Sequence, residues 1–412
     1  MNVLHLRTLR TLHPLAWTII MLFARMSTSM SLPFLAIYLT TTLGATPTAT
    51  GVTVAVSSLV GVFASFYGGY VSDKIGRQRV MLIAIGCWTL VFIAFAGATA
   101  VWMFFVLNML NGICRSLFEP ASRALLSEVT PPDQKVLVFN LRYTAVNLGI
   151  VVGPLIGVWM GSSSSGLAFL VAGGVYLVYS LILMLQFRRY RHLAIHSSSQ
   201  TAATMTMRKA VQAVYQDSVF RYVLLGMIFA VLGYGHLNST LPQYMALLPN
   251  LSTGEGSRWF AYMLTLNAIT VLVIQYPLIG YVSRFSPAVS LITGNVLVCM
   301  GLVLYGMCES LVAFLVVTVL FTIGEVLLFT MIDVFIDAIA RPEWKGTYFG
   351  TMGFNNLGNV LAPIMGGMLL DHWGAAQGMS IFLWLALGCA PGIPLLMAAY
   401  RHLMIQKQKE SS

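Results

Sequence analysis

Apolar stretches of span length follow one another along almost the whole chain, separated by polar stretches of only a few residues. Runs of eighteen or more mostly apolar residues read as membrane-spanning helices. Twelve such runs are predicted, near 14–41, 50–73, 79–99, 101–127, 136–160, 166–187, 219–248, 256–283, 287–308, 311–340, 347–371 and 377–400. One of them breaks the apolar pattern in an ordered way. In the fourth, Asn111, Arg115, Glu119 and Arg123 recur every four residues, a spacing that keeps them on one helix face. A charge at the bilayer centre costs at least ~2.5 kcal/mol, so such a stripe faces a partner or a water-filled cavity rather than lipid.

Composition agrees: 58% of residues are hydrophobic and 9% charged, against ~25% charged in soluble domains. The fold class is an all-α membrane protein, with the lipid bilayer as an obligatory partner and little chain left for a soluble domain. A net charge of +10 raises nucleic acid as a partner, but the positions of the cations exclude it. They cluster in alternate loops, as with Lys74, Arg77 and Arg79 after the second predicted span and Arg188, Arg189 and Arg191 after the sixth, while loops such as GATA and GSSSSG carry none. By the positive-inside rule both termini are expected in the cytoplasm, with the protein in the cell inner (plasma) membrane. Five cysteines are scattered without CxxC spacing, so neither a disulfide framework nor a thiolate metal site is expected. No motif for a cofactor is present, and the chain is expected to act as a monomer.

The chain also repeats itself. Gly69-Tyr70-Val71-Ser72 recurs as Gly280-Tyr281-Val282-Ser283, and Asn147-Leu148-Gly149 as Asn356-Leu357-Gly358. The reading is two parallel six-helix units, residues 1–187 and 219–412, joined by a basic, Ser/Thr-rich cytoplasmic linker over 188–218.

The loop after the second predicted span reads Gly69-Tyr-Val-Ser-Asp73-Lys74-Ile-Gly76-Arg77-Gln-Arg79. It resembles the signature loop of the major facilitator superfamily. That resemblance implies two six-helix bundles that rock about a midplane cavity, and a cytoplasmic latch in which Asp73 caps the eleventh span and Arg77 meets Glu128. Without it, the loop reads as a solvated basic turn that sets topology. Gly149, Gly153, Pro154 and Gly157 resemble the GxxxGPxxG motif of the superfamily's twelve-span drug/proton antiporters; read on their own, they make a flat seam for helix packing.

In this fold the first, fourth, seventh and tenth spans surround the cavity, which makes Arg25, Arg115, Glu119, His236 and Glu325 the candidate residues. Arg115 and Glu325 each lie fourteen residues from the outer end of their spans, about 21 Å deep at ~1.5 Å per residue. Glu325 is the first candidate for a proton-coupling carboxylate, or else one end of a fixed Arg–carboxylate bridge. Glu119, with an arginine one turn to either side, reads as permanently ionised. His236 is a second candidate for titration, or a satisfied polar residue. Asp333 and Asp337, further along the Glu325 face, read as hydrated at the cytoplasmic mouth.

The expected function is secondary transport by alternating access, as proton-coupled efflux of small amphipathic compounds. The alternative is a proton-coupled carrier of a metabolite or organic anion, for which Arg25 and the other cavity arginines speak. The sequence holds no HExxH set, nucleophile–base pair or phosphate-binding loop in its spans, which argues against an enzyme and against direct ATP drive.

Overall fold

The computed structural model describes residues 47–159, 167–190, 207–248, 255–282 and 286–411, with 16, 18–20, 39 and 43 before them. Its helices are α1 (Pro47–Ile75), α2 (Arg77–Gly97), α3 (Val101–Glu128), α4 (Lys135–Trp159), α5 (Leu167–Arg189), α6 (Met207–Gln216), α7 (Ser218–Asn238), α8 (Thr240–Ala246), α9 (Glu255–Val282), α10 (Pro287–Tyr305), α11 (Leu311–Ile339), α12 (Lys345–Thr351), α13 (Leu357–Trp373), α14 (Gly378–Cys389) and α15 (Gly392–Ser411). Among the described residues, eight helical segments are long and apolar enough to cross a membrane.

Three predicted spans are broken, and prolines account for two of the breaks. The seventh splits at Ser239 into α7 and α8. Pro242 has no N–H to offer the carbonyl of Asn238 four residues back, and its ring crowds that carbonyl. The twelfth splits between Cys389 and Gly392, where Pro391 has no N–H to offer the carbonyl of Leu387 four residues back. The eleventh passes from α12 through a short 3₁₀ stretch, Met352–Asn356, into α13. By contrast α3 continues through Pro120 and α9 through Pro277.

The chain divides into two compact units. One comprises Met1–Val214 with Ala340–Gly353, the other Tyr215–Ile339 with Phe354–Ser412. The division departs from a simple cut in the linker because the segment carrying α12 packs with the first unit. In that unit an aromatic cluster fills the space between α2, α3 and α5. Phe92 and Trp88 stack on Tyr176 with centroids at 4.9 and 5.0 Å, and Phe95 stacks on Phe104 and Phe169 at 5.6 and 5.2 Å. The second unit has its own cluster, in which Tyr305 contacts Phe314, Phe321 and Phe382. Offset and tilted ring pairs of this kind add specific geometry to apolar burial.

Polar residues tie α3 to its neighbours. Trp88 Nε1 donates to Asn111 Oδ1 at 2.6 Å, Asn111 Nδ2 donates to Asn108 Oδ1 at 2.9 Å, and Asn108 Nδ2 donates to the Thr53 carbonyl at 2.7 Å. Asn111 thus sits inside the first unit, and the charged positions below it form the stripe.

Candidate transport site and cytoplasmic clasp

The turn between α1 and α2 consists of Gly76 alone, with φ +99°, a backbone region that residues with a Cβ rarely occupy. This sharp turn places Asp73, at the end of α1, beside Arg77, at the start of α2. The two form a buried salt bridge, and Arg77 Nε also binds Glu128 Oε1 at 3.1 Å. Asp73 then reaches α12. Its Oδ1 accepts from Gly346 N at 2.9 Å, and its Oδ2 accepts from Thr347 N at 2.6 Å and from the Thr347 hydroxyl. The first amides of a helix have no partner within it, so a carboxylate from another helix supplies the cap. Glycine makes the approach possible, since a Cβ at Gly69 would collide with the Gly346 carbonyl, and one at Gly346 would collide with Ser72 and Asp73. Lys345 Nζ adds a hydrogen bond to Ser127 Oγ at 2.7 Å. Lys74 and Arg79 are exposed, Lys74 lying 5.9 Å from the Tyr70 ring.

Within α3, Glu119 lies between two arginines. Arg115 Nε donates to its Oε1 at 2.8 Å, and Arg123 Nη2 to its Oε2 at 3.3 Å. The Arg115 side chain is 55% exposed and that of Glu119 22%, so the stripe borders open space rather than packed apolar surface.

Glu325 is 2% exposed, in the middle of α11. Asn267 of α9 donates to its Oε2 at 2.7 Å and reaches Thr322 Oγ1 at 2.8 Å. The Thr322 hydroxyl in turn donates to the Thr318 carbonyl at 2.7 Å. Tyr234 of α7, which packs edge-on against Phe329 with centroids 4.8 Å apart, lies within electrostatic reach of Glu325. Asn267, Thr322 and Tyr234 were not picked out from the sequence. The readable signal was Asn267, an amide in the apolar run TLNAITVLVI, because an amide inside a span seeks a partner on another helix.

His236 is fully buried, with Nδ1 2.8 Å from Thr240 Oγ1. Its helical neighbours Gly233 and Gly235 face Val298, Cys389 and Ala362, so this part of α7 packs against α10, α13 and α14. One expectation changes. Asp333 and Asp337, expected to face water, are buried at 3% and 8% exposed, because almost every residue of α11 from Gly324 to Asp337 is enclosed by neighbours. Arg25 lies outside the described residues. Gly149, Gly153, Pro154 and Gly157 fall on α4, whose helix runs on through Pro154. Among the described residues no group of three or more His, Cys, Asp or Glu could hold a metal ion.

The family model described as the Major Facilitator Superfamily matches residues 17–355. The chain belongs to the major facilitator superfamily. It is therefore a multi-pass membrane transporter for small-molecule substrates and not an enzyme. The transporter is 46% identical, over 405 residues covering 98% of each chain, to the uncharacterized MFS-type transporter YqjV of Bacillus subtilis strain 168. It is 26% identical over 372 residues, covering 83% of this chain and 86% of the other, to a Na(+), Li(+), K(+)/H(+) antiporter of Planococcus maritimus. The crystal structure of the fucose:proton symporter FucP of Escherichia coli superposes with a TM-score of 0.73 at 14% identity, covering 93% of this chain and 98% of that one. This likeness shows that the fold is the major facilitator fold.

Proposed function

We propose that this transporter exchanges protons for small amphipathic compounds, exporting them from the cell, and that Glu325 carries the proton. The observation behind the assignment is the hydrogen bond from Asn267 to Glu325 Oε2. An amide N–H can donate both to a carboxylate oxygen and, more weakly, to the carbonyl oxygen of a carboxylic acid, so a proton on Oε1 leaves the bond in place. Glu119 has the opposite setting, because protonating it would strip two guanidiniums of their counter-charge. A buried carboxylate whose supporting bond survives protonation is suited to load on one side of the membrane and unload on the other. The cation/proton exchange named for the Planococcus relative supports antiport, and the antiporter-like glycines of α4 support efflux.

In this mechanism the clasp of Asp73, Arg77 and Glu128 on α12 holds the transporter in one of its two access states and opens during the cycle. Both termini face the cytoplasm, the membrane is the cell's inner membrane, and the protein works as a monomer. The arginines of α3 favour a second reading, a proton-coupled carrier of organic anions. Arg115 and Arg123 share a single carboxylate, and the exposed guanidinium of Arg115 is available to an anionic cargo.

The test is purified protein in liposomes under an imposed pH gradient, with a panel of lipophilic cationic dyes followed with and without a protonophore. Gradient-driven dye movement that the protonophore abolishes supports antiport. Movement of organic anions instead, lost in Arg115→Gln, supports the second reading.

A further inference from the structure

On α15, Pro394, Met397, Ala398, Arg401, His402 and Ile405 line a groove of about 380 Å³. Their spacing of three, four, seven, eight and eleven residues puts them on one face of the helix. The face changes chemistry along its length. It is apolar up to Ala398, turns polar at Arg401 and His402, and the helix then continues into Lys407 and Lys409. The changeover falls where the predicted twelfth span leaves the hydrocarbon, within a residue of Tyr400. Met397 and Ile405 remain 43% and 49% exposed, and Arg401 is exposed as well. His402 is held in position by stacking on Tyr222 of α7, with centroids 5.2 Å apart and planes 24° apart.

We propose that this groove binds a single anionic phospholipid, its phosphate on Arg401 and His402 and an acyl chain along Pro394, Met397 and Ala398. Charge and position select this occupant. A guanidinium offers paired N–H donors to phosphate oxygens. An aliphatic strip one turn deeper meets the first methylenes of a chain, and basic pockets at the cytoplasmic edge of a membrane bundle match anionic headgroups. A water-soluble phosphate would leave the apolar half of the groove unused, and a second copy of the chain would have to present a negative group to Arg401. The assignment is independent of which residue carries the proton.

The experiment uses the full-length protein in mild detergent, with bound lipid counted by native mass spectrometry during titration with phosphatidylglycerol, phosphatidylcholine or inorganic phosphate. One phosphatidylglycerol per chain is expected, bound about fivefold more tightly than phosphatidylcholine, the ratio that one cation near an anionic headgroup supports. Arg401→Gln removes that preference, Met397→Gln weakens both lipids alike, and inorganic phosphate leaves the bound lipid in place. Equal affinity for the two lipids, an unchanged preference in Arg401→Gln, displacement by inorganic phosphate, or a lipid-free dimer in place of the lipid-bound monomer would each overturn the assignment.

Discussion

Glu119 and Glu325 are both acidic residues on long helices of this transporter, yet their surroundings differ, and the proposed function gives them opposite tasks. Glu119 lies between Arg115 and Arg123 on its own helix, so its charge is the reason the two guanidiniums tolerate the membrane. Glu325 is buried on α11 and takes a hydrogen bond from an amide on α9. In the proposed mechanism one carboxylate keeps its charge beside two guanidiniums, and the other rests on an amide that can donate to either protonation state. A carboxyl group inside a membrane is thus assigned a role by the donors around it rather than by its depth.

The largest effect that would break this comparison is expected from Glu325→Gln. The variant keeps the acceptor for Asn267 and should fold, yet lose gradient-driven transport by at least ~100-fold, a fall typical of losing an essential acid–base group. Measurement of pH-gradient-driven uptake in liposomes checks it, and an unchanged pH dependence removes Glu325 from the mechanism. Glu119→Gln should instead lower stability by about 2 kcal/mol, because it leaves two arginines without their carboxylate at a partly exposed site. Thermal unfolding in detergent reads that loss, and the pH profile of transport in the folded fraction should stay that of the wild type. A shifted profile would mean that Glu119 also titrates.

Asp73→Asn sharpens the picture of the clasp. The amide keeps one acceptor for Gly346 or Thr347 but loses the charge facing Arg77 and the helix end, an interaction of ~1 kcal/mol. Turnover should fall about fivefold with substrate affinity nearly unchanged, as rate and binding assays on one preparation would show. A wild-type turnover rate contradicts the clasp. The smallest effect is expected from Asn267→Asp, which replaces the amide donor with an acid while keeping the shape. Transport should persist with its pH profile displaced to higher pH, because two adjacent carboxyl groups hold a shared proton more tightly than one alone, and an unchanged profile in the liposome assay would remove Asn267 from the proton site.

The twelve apolar runs could be read because each is longer than a bilayer is thick, and the turn of the clasp because Asp73, Gly76 and Arg77 lie within a few residues of one another, whereas its partners Glu128 and the start of α12 followed only from the resemblance to the superfamily's signature loop. Gly76 was readable as a turn since a sharp reversal between two helices requires it. The surroundings of Glu325 could not be read in the same way. Asn267 lies 58 residues from Glu325 along the chain, and only the packing of α9 against α11 brings them together. Asp333 and Asp337 were misread for a related reason. Nearness to the end of a span suggests water, but neighbouring helices enclose that end of α11. For His236 the sequence left two readings open, a titrating group and a satisfied polar residue, and its burial and its contact with Thr240 are the kind of surroundings that only the packing of the helices reveals.

The most direct test separates exchange from proton coupling in Glu325→Gln liposomes. Substrate exchange at equal pH on both sides needs no net proton movement, whereas accumulation driven by a pH gradient does. The variant is expected to retain exchange at near wild-type rate and to show no gradient-driven accumulation. Accumulation equal to that of the wild type would contradict the assignment of the proton to Glu325.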